Sequence, residues 1–106
     1  MKKLFLSLSM LALAALMVFA GPADGTWRIS GNVSGVPQTL VLQVSGTSVT
    51  GTADGVSIFN GKLVKTAITF QLTQNGTTDT YKGLILGAQM NLFEEAHSLR
   101  LTYNHQ

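Results

Sequence analysis

The sequence predicts an all-β protein: an eight-stranded antiparallel up-and-down (meander) β-barrel preceded by a signal-peptide helix. Three observations predict it. All 11 glycines follow position 20, where they separate short runs rich in threonine, valine and isoleucine, as turns separate strands. Apolar and polar residues alternate within those runs, and residues 21–106 show no helical period of useful length. The breaks recur about every ten residues, which favours sequential hairpins over the long crossovers of a Greek key.

The first 20 residues have the features of a secretory signal peptide. Two lysines form a positively charged start, residues 4–19 form an apolar run broken by two serines, and residues 18–20 end it with a small-x-small pattern. We expect cleavage after Ala20, a single mature domain at 21–106, and a secreted or periplasmic protein with no membrane attachment. The alternative is an uncleaved anchor, because the apolar run is just long enough to cross a bilayer.

Charge and cysteine content exclude several functions. The formal charge of +2 comes from the leader, since residues 21–106 hold five basic and five acidic side chains. This balance argues against a nucleic-acid partner. The chain has no cysteine, which excludes disulfides, thiol catalysis and thiolate metal sites. A small exported domain without disulfides needs a closed hydrogen-bonded scaffold, oligomerisation or both.

Seven turn signals divide residues 25–104 into eight strands. The signals combine glycine, asparagine, aspartate and serine, which favour tight turns. They lie at 34–37, 45–47, 54–55, 64–66, 75–76, 86–88 and 94–96. The predicted strands span 25–33, 38–45, 48–53, 56–63, 67–74, 78–86, 88–93 and 97–104. The Asp54-Gly55 pair predicts a type I′ hairpin turn.

Alternation sorts the side chains into an inner and an outer face. The inner face holds Trp27, Ile29, Val33, Leu40, Leu42, Val44, Val49, Ala53, Ile58, Ile68, Phe70, Leu72, Tyr81, Ile85, Met90, Leu92, Leu99, Leu101 and Tyr103. Gly51 and Gly83 also fall on inner positions, where a missing side chain permits sharp coiling. The alternation slips before Leu63, which predicts a bulge at Gly61. The outer face is mostly threonine, glutamine and asparagine, which argues against a transmembrane barrel.

Three large apolar residues, Leu84, Leu86 and Phe93, fall on the outer face of neighbouring strands. A stable monomer rarely exposes a contiguous apolar patch of more than a few hundred Å². The sequence therefore predicts a homo-oligomer or partner-binding surface there. The alternative is a register shifted by one residue in the 78–86 strand, which would turn both leucines inward.

The Gly25-Thr26-Trp27 motif at the start of the first strand, followed by an eight-strand meander, resembles the calycin-type barrels of the avidin and lipocalin families. The resemblance implies that a basic residue of the last strand packs over Trp27. Arg100 is similar in position, although the alternation places it on the outer face. Avidin-type biotin recognition uses several tryptophans, whereas Trp27 is the only one here. Lipocalins are much longer, and an eight-stranded barrel of short strands is filled by its own side chains.

No arrangement of residues predicts catalysis. Glu94 and His97 have the E-x-x-H spacing of metal-binding helices, but this single copy lies in a predicted turn. We therefore expect a solvated loop, with no metal and no cofactor. Glu94 and Glu95 should point apart in extended chain, so they cannot form a catalytic carboxylate pair. Asp79 is interpreted as a turn residue.

The sequence thus favours an exported, non-catalytic binding module that recognises a small molecule or peptide at the barrel mouth. The candidate ligand-binding residues are Trp27, Tyr81, Tyr103 and Arg100. For Trp27 the alternative is a buried plug that closes one barrel end, with its indole N–H bonded locally. The second candidate function is protein interaction, as an inhibitor or an envelope assembly protein, through loops or the apolar face around Leu84.

Overall fold

The computed structural model describes residues 23–106, so the predicted signal peptide at 1–20 lies outside the described residues. The described chain forms nine strand segments. These are β1 (Gly25–Ile29), β2 (Thr39–Ser45), β3 (Ser48–Ala53), β4 (Val56–Ser57), β5 (Phe59–Val64), β6 (Ala67–Gln74), β7 (Thr77–Leu86), β8 (Gln89–Glu94) and β9 (Leu99–His105). Within residues 23–106, no helix has the length and apolar character needed to cross a bilayer.

The strands close into a single antiparallel barrel. Apart from β4 and β5, each strand pairs with its neighbour in sequence, and β9 returns to β1. The short β4 and the following β5 both pair with β3, so together they occupy one strand position and the barrel has eight. At the seam, Trp27 lies opposite His105, and Ile29 lies opposite Tyr103. The predicted eight-strand antiparallel meander is confirmed.

The antiparallel path places the connections at two ends of the barrel. The terminal end, where Ala23 and His105 lie, carries the turns at 46–47, 65–66 and 87–88. The loop end carries the long loop at 30–38 and the connections at 54–55, 75–76 and 95–98. Because different connections form the two ends, each end presents a different set of side chains to a ligand.

The first strand is shorter than predicted, since it ends at Ile29 and the chain leaves the sheet for the 30–38 loop. Gly31 and Gly35 both have positive φ, at 82° and 81°, which is turn geometry rather than strand geometry. Gln38 holds the loop together, because its side-chain amide donates to the carbonyl oxygens of Val33 and Val36 at 2.9 and 2.8 Å.

The turn at 54–55 ties this loop to the barrel. Asp54 and Gly55 both have positive φ, at 49° and 83°, as the predicted type I′ turn requires. The Asp54 carboxylate also accepts hydrogen bonds from the backbone N–H groups of Gln38 and Thr39, each at 2.9 Å. Asp54 therefore contributes its backbone to the hairpin turn and its side chain to the end of the loop.

The inner face matches the alternation of the sequence. Every side chain predicted to point inward is buried or packed against the core, and the half-buried ones are Ile29, Val33, Val44 and Leu99. Three further buried residues, Ala23, Val36 and Pro37, come from outside the strands. Within the core, the rings of Phe70 and Tyr81 stack with centroids 5.1 Å apart.

Glycines allow the closest strand approaches. A Cβ added at Gly83 would overlap the backbone carbonyl of Asn91 on β8, and one added at Gly51 would overlap the carbonyl of Val41 on β2. These close approaches agree with the prediction that Gly51 and Gly83 permit sharp coiling of the strands.

A bulge interrupts the pairing of β5 with β6, as the slipped alternation predicts. The register shifts between Phe59 and Lys62, and Asn60 adopts a positive φ of 52°. The extra residue lets both Ile58 and Leu63 face the core.

Candidate functional site

Trp27 fills the terminal end of the barrel. It is fully buried, and its indole N–H donates to the carbonyl oxygen of Ala23 at 2.9 Å. The His105 ring meets it edge-on, with centroids 4.7 Å apart, while His105 Nε2 donates to the carbonyl oxygen of Asp24 at 2.8 Å. A Cβ at Gly25 would lie 2.7 Å from that nitrogen. The Gly-x-Trp motif thus makes room for the histidine that covers the tryptophan.

Arg100 lies on the outer face of β9, where its guanidinium sits 5.7 Å from the centroid of the Phe93 ring. The last-strand residue that packs on Trp27 is therefore His105, and the role that the resemblance implies for Arg100 is wrong. The physical reason is parity, since residues 100 and 105 face opposite sides of the same strand.

Tyr103 is also buried, but its hydroxyl reaches the other end. It donates to the carbonyl oxygen of Pro37 in the 30–38 loop at 2.6 Å. Burial, with smaller contributions from Tyr81, Asp54 and Glu94, raises the pKa of this phenol above its usual value. The structure thus places Trp27, Tyr103 and Arg100 at three separate locations.

An open cleft of about 290 Å³ occupies the loop end. Its lining combines the 75–76 turn, the inner face of β7 and the turn after β8. The lining residues are Gly35, Leu72, Gln74, Asn75, Thr77, Asp79, Tyr81, Glu94, Ala96 and His97. None of them is a lysine or an arginine. Of the four candidate ligand-binding residues, Tyr81 alone lines this cleft.

Three side chains in the cleft form what we call the mouth cluster: Asp79, Glu94 and His97. One donor atom from each lies within 4.8 Å of the others. His97 Nδ1 is in hydrogen-bond contact with Glu94 Oε1 at 3.0 Å, and Asp79 Oδ1 accepts from the backbone N–H of Ala96 at 3.1 Å. Glu94 is only 2% exposed and is the one charged residue that is buried among residues 23–106.

Strand register builds this cluster. Tyr81 lies directly opposite Glu94 in the β7–β8 pairing, and Asp79 precedes Tyr81 by two residues, so all three share the inner face. The following turn then carries His97 back over them. Glu95 points the other way and pairs with Lys82 at 2.7 Å on the outer face, so the prediction that the adjacent glutamates diverge is confirmed.

Two predictions about these residues are wrong. Glu94 is the last residue of β8 and is buried, so it does not belong to a solvated loop. Asp79 lies within β7 rather than in a turn. The signal that could have found both is parity, since Asp79 continues the inner series of Tyr81, and Glu94 continues that of Leu92. The solvated-loop prediction is right for His97, which is exposed.

The environment of the cluster disfavours negative charge. Burial raises the pKa of the Glu94 carboxyl, and the neighbouring Asp79 raises it further, while contact with His97 opposes the shift. Burial also raises the pKa of the Tyr81 phenol, with the charges of Asp79 and Glu94 adding to the effect. A positive charge placed in the cleft would relieve this repulsion.

The predicted outer register of β7 is confirmed. Leu84 and Leu86 are 47% and 54% exposed, and Phe93 on β8 is half-buried. Beside them, a groove of about 450 Å³ runs over the outer face of β7, β8 and β9. Its lining residues are Lys82, Gly83, Leu84, Asn91, Leu92, Phe93, Arg100, Leu101 and Thr102. That this face binds a partner stays a prediction.

Comparison with known proteins assigns no family. No protein-family model matches the chain, and no curated protein or solved structure matches it. The functional argument therefore depends on the geometry of the barrel and its cleft.

Proposed function

We propose that the protein is an exported, non-catalytic binding module that takes a small, positively charged molecule in the loop-end cleft. The observation that carries this proposal is the buried Glu94 carboxyl, which lies beside Asp79 in an open cleft without a lysine or arginine. The apolar leader at 1–20 supports export.

The physical argument is electrostatic. Two carboxyl groups in a partly desolvated site attract a cation more strongly than the same groups in water, because the local dielectric is lower. The cleft is also shallow, since core side chains such as Leu72 and Phe70 fill the barrel beneath it. A ligand of this barrel therefore binds at its mouth and stays small.

We further propose that the barrel is of the calycin type. The support is the closed eight-strand meander together with a buried tryptophan at the start of the first strand. In this chain Trp27 closes the terminal end, and the ligand site belongs to the loop end.

Binding can be tested on the ¹⁵N-labelled mature domain, residues 21–106, by titration with butylammonium and with neutral butanol. We expect saturable amide shifts around Asp79 and Tyr81 with butylammonium and not with butanol. Glu94→Gln should weaken binding at least tenfold, because it removes one charge from the site. Glu95→Gln is the matched control, since this neighbour points outward, and it should bind within twofold of wild type.

Two results would contradict the proposal. If butanol produces the same shifts as butylammonium, or if Glu95→Gln weakens binding as much as Glu94→Gln, charge recognition at the mouth cluster is wrong.

A second candidate function is protein interaction through the groove on β7, β8 and β9. The observation that favours it is the exposure of Leu84 and Leu86 beside a groove with an aromatic wall at Phe93. Contiguous apolar surface of this kind marks interfaces more often than free surface. On this hypothesis the partner is a second copy of the chain or another exported protein.

Size-exclusion chromatography with light scattering tests the self-association form of this hypothesis. We expect the mature protein to dimerise and Leu84→Lys to be monomeric, because the lysine would place a charge in the apolar contact. Val64→Lys is the control, since Val64 is 54% exposed but lies on β5, outside the groove. A monomeric wild type that captures no partner would rule this surface out as an interface.

A further inference from the structure

The donor set of the mouth cluster is mixed, with two carboxylates and one imidazole. Asp79, Glu94 and His97 each supply one donor atom, and these atoms lie within 4.8 Å of one another. Zinc binds carboxylate oxygen and histidine nitrogen at about 2.0–2.2 Å, which places the donors of one tetrahedral ion roughly 3.3–3.6 Å apart. The 3.0 Å separation of His97 Nδ1 and Glu94 Oε1 is a few tenths of an ångström shorter than this.

The burial of the cluster separates it from ordinary surface acids. Exposed acidic groups are common and need no ion, whereas Glu94 is 2% exposed and lines an open cleft. Buried charges in proteins are normally paired or bound to metals. The nearby Lys82 is engaged by Glu95 on the outer face, so the side chain in contact with Glu94 is the imidazole of His97.

The scaffold suits metal coordination in rigidity and access. Asp79 and Glu94 lie on paired strands, which fix their separation. The side chain of His97 is 68% exposed on the turn, so it can close over an ion that enters from the cleft. The hydrogen bond from the Ala96 N–H to Asp79 orients the carboxylate, as outer contacts do in metal sites.

On these grounds, and resting on the proposed function, we propose that the cation taken by the cleft is a divalent metal ion of the zinc class, held by Asp79, Glu94 and His97. The imidazole favours zinc, cobalt or nickel over magnesium and calcium, which prefer oxygen donors throughout. Three protein ligands leave the remaining coordination position open toward the cleft, where water or a small molecule can complete it.

The test uses the tag-free mature domain, treated with a chelator and titrated with zinc chloride by calorimetry and with cobalt chloride by visible absorption. We expect one saturable site per chain and a cobalt spectrum typical of nitrogen and oxygen ligands. His97→Ala should weaken zinc binding at least tenfold while leaving the fold intact, because this side chain is exposed. Glu94→Gln should weaken it by a similar factor.

Two control variants remove comparable groups outside the cluster. Glu95→Gln removes the neighbouring carboxylate, and His105→Gln removes the other histidine of the domain; both should bind zinc within twofold of wild type. Circular dichroism confirms that each variant is folded.

The outcomes separate this inference from the proposed function. If wild type and His97→Ala bind zinc equally, or if zinc does not bind while butylammonium still saturates the cleft, the metal site is wrong and the cation-binding function stands. If neither zinc nor butylammonium binds, both proposals are overturned. Butylammonium binding should survive His97→Ala, since that interaction depends on the carboxylates.

Discussion

Replacing Trp27 by alanine is expected to lower the free energy of unfolding by about 3–5 kcal/mol, the range for a large aromatic residue removed from a core. Trp27 is fully buried at the terminal end, and its loss also leaves the Ala23 carbonyl without the indole donor and removes the ring packed against His105. Small domains are stable by only about 5–15 kcal/mol, so a large part of the variant population should unfold under mild denaturation.

Urea denaturation followed by far-ultraviolet circular dichroism measures this effect without a tryptophan signal. Val64→Ala is the matched control, because Val64 is an exposed apolar residue of β5, and it should change stability by less than about 0.5 kcal/mol. A loss below about 1 kcal/mol for Trp27→Ala would show that the terminal end does not depend on its plug.

Replacing Gly83 by alanine is expected to cost about 3 kcal/mol, at the upper end of the range for overpacking a closed core. The new Cβ would overlap the Asn91 carbonyl of β8, so β7 and β8 would have to separate along the ladder that ends at Tyr81 and Glu94. The same variant should therefore weaken ligand binding in the loop-end cleft.

Gly76→Ala distinguishes lack of space from backbone conformation. Gly76 has a positive φ of 77° but nothing within 4 Å of an added Cβ, so alanine there should cost only about 1–2 kcal/mol of backbone strain. Melting temperatures of the two variants, measured side by side, give the comparison. If Gly76→Ala is the more damaging change, the close approach at Gly83 is not what limits the barrel.

The barrel could be predicted from the sequence because its two signals are local. Period-two alternation identifies the buried face, and paired turn residues such as Asn75 and Gly76 mark the hairpins. The end of the first strand could not be predicted in this way. Val33 continues the alternation and packs against the core, although it lies in a loop, since alternation reports burial and not where the hydrogen-bonded ladder stops.

The mouth cluster depends on the pairing register of β7 with β8. This register follows from the position of the turn between them, but no motif in the sequence marks it. A two-residue turn at 87–88 places Leu86 opposite Gln89. Pairing the residues one by one away from this turn brings Tyr81 opposite Glu94. The turn signal at 94–96 obscures this pairing, because it assigns Glu94 to a turn and not to the end of a strand. The return of His97 over the cluster could not be predicted at all, because it depends on how the 95–98 connection folds.

The seam between β1 and β9 also determines how the protein can fold. It joins the first strand of the domain to the last, with Trp27 beside His105, and contacts between such distant parts of a chain form slowly. Until β9 arrives, both β1 and β8 present unpaired edges, which are sites of aggregation. The barrel can therefore close only after β9 has been synthesised, and until then the earlier strands depend on their hairpin partners alone.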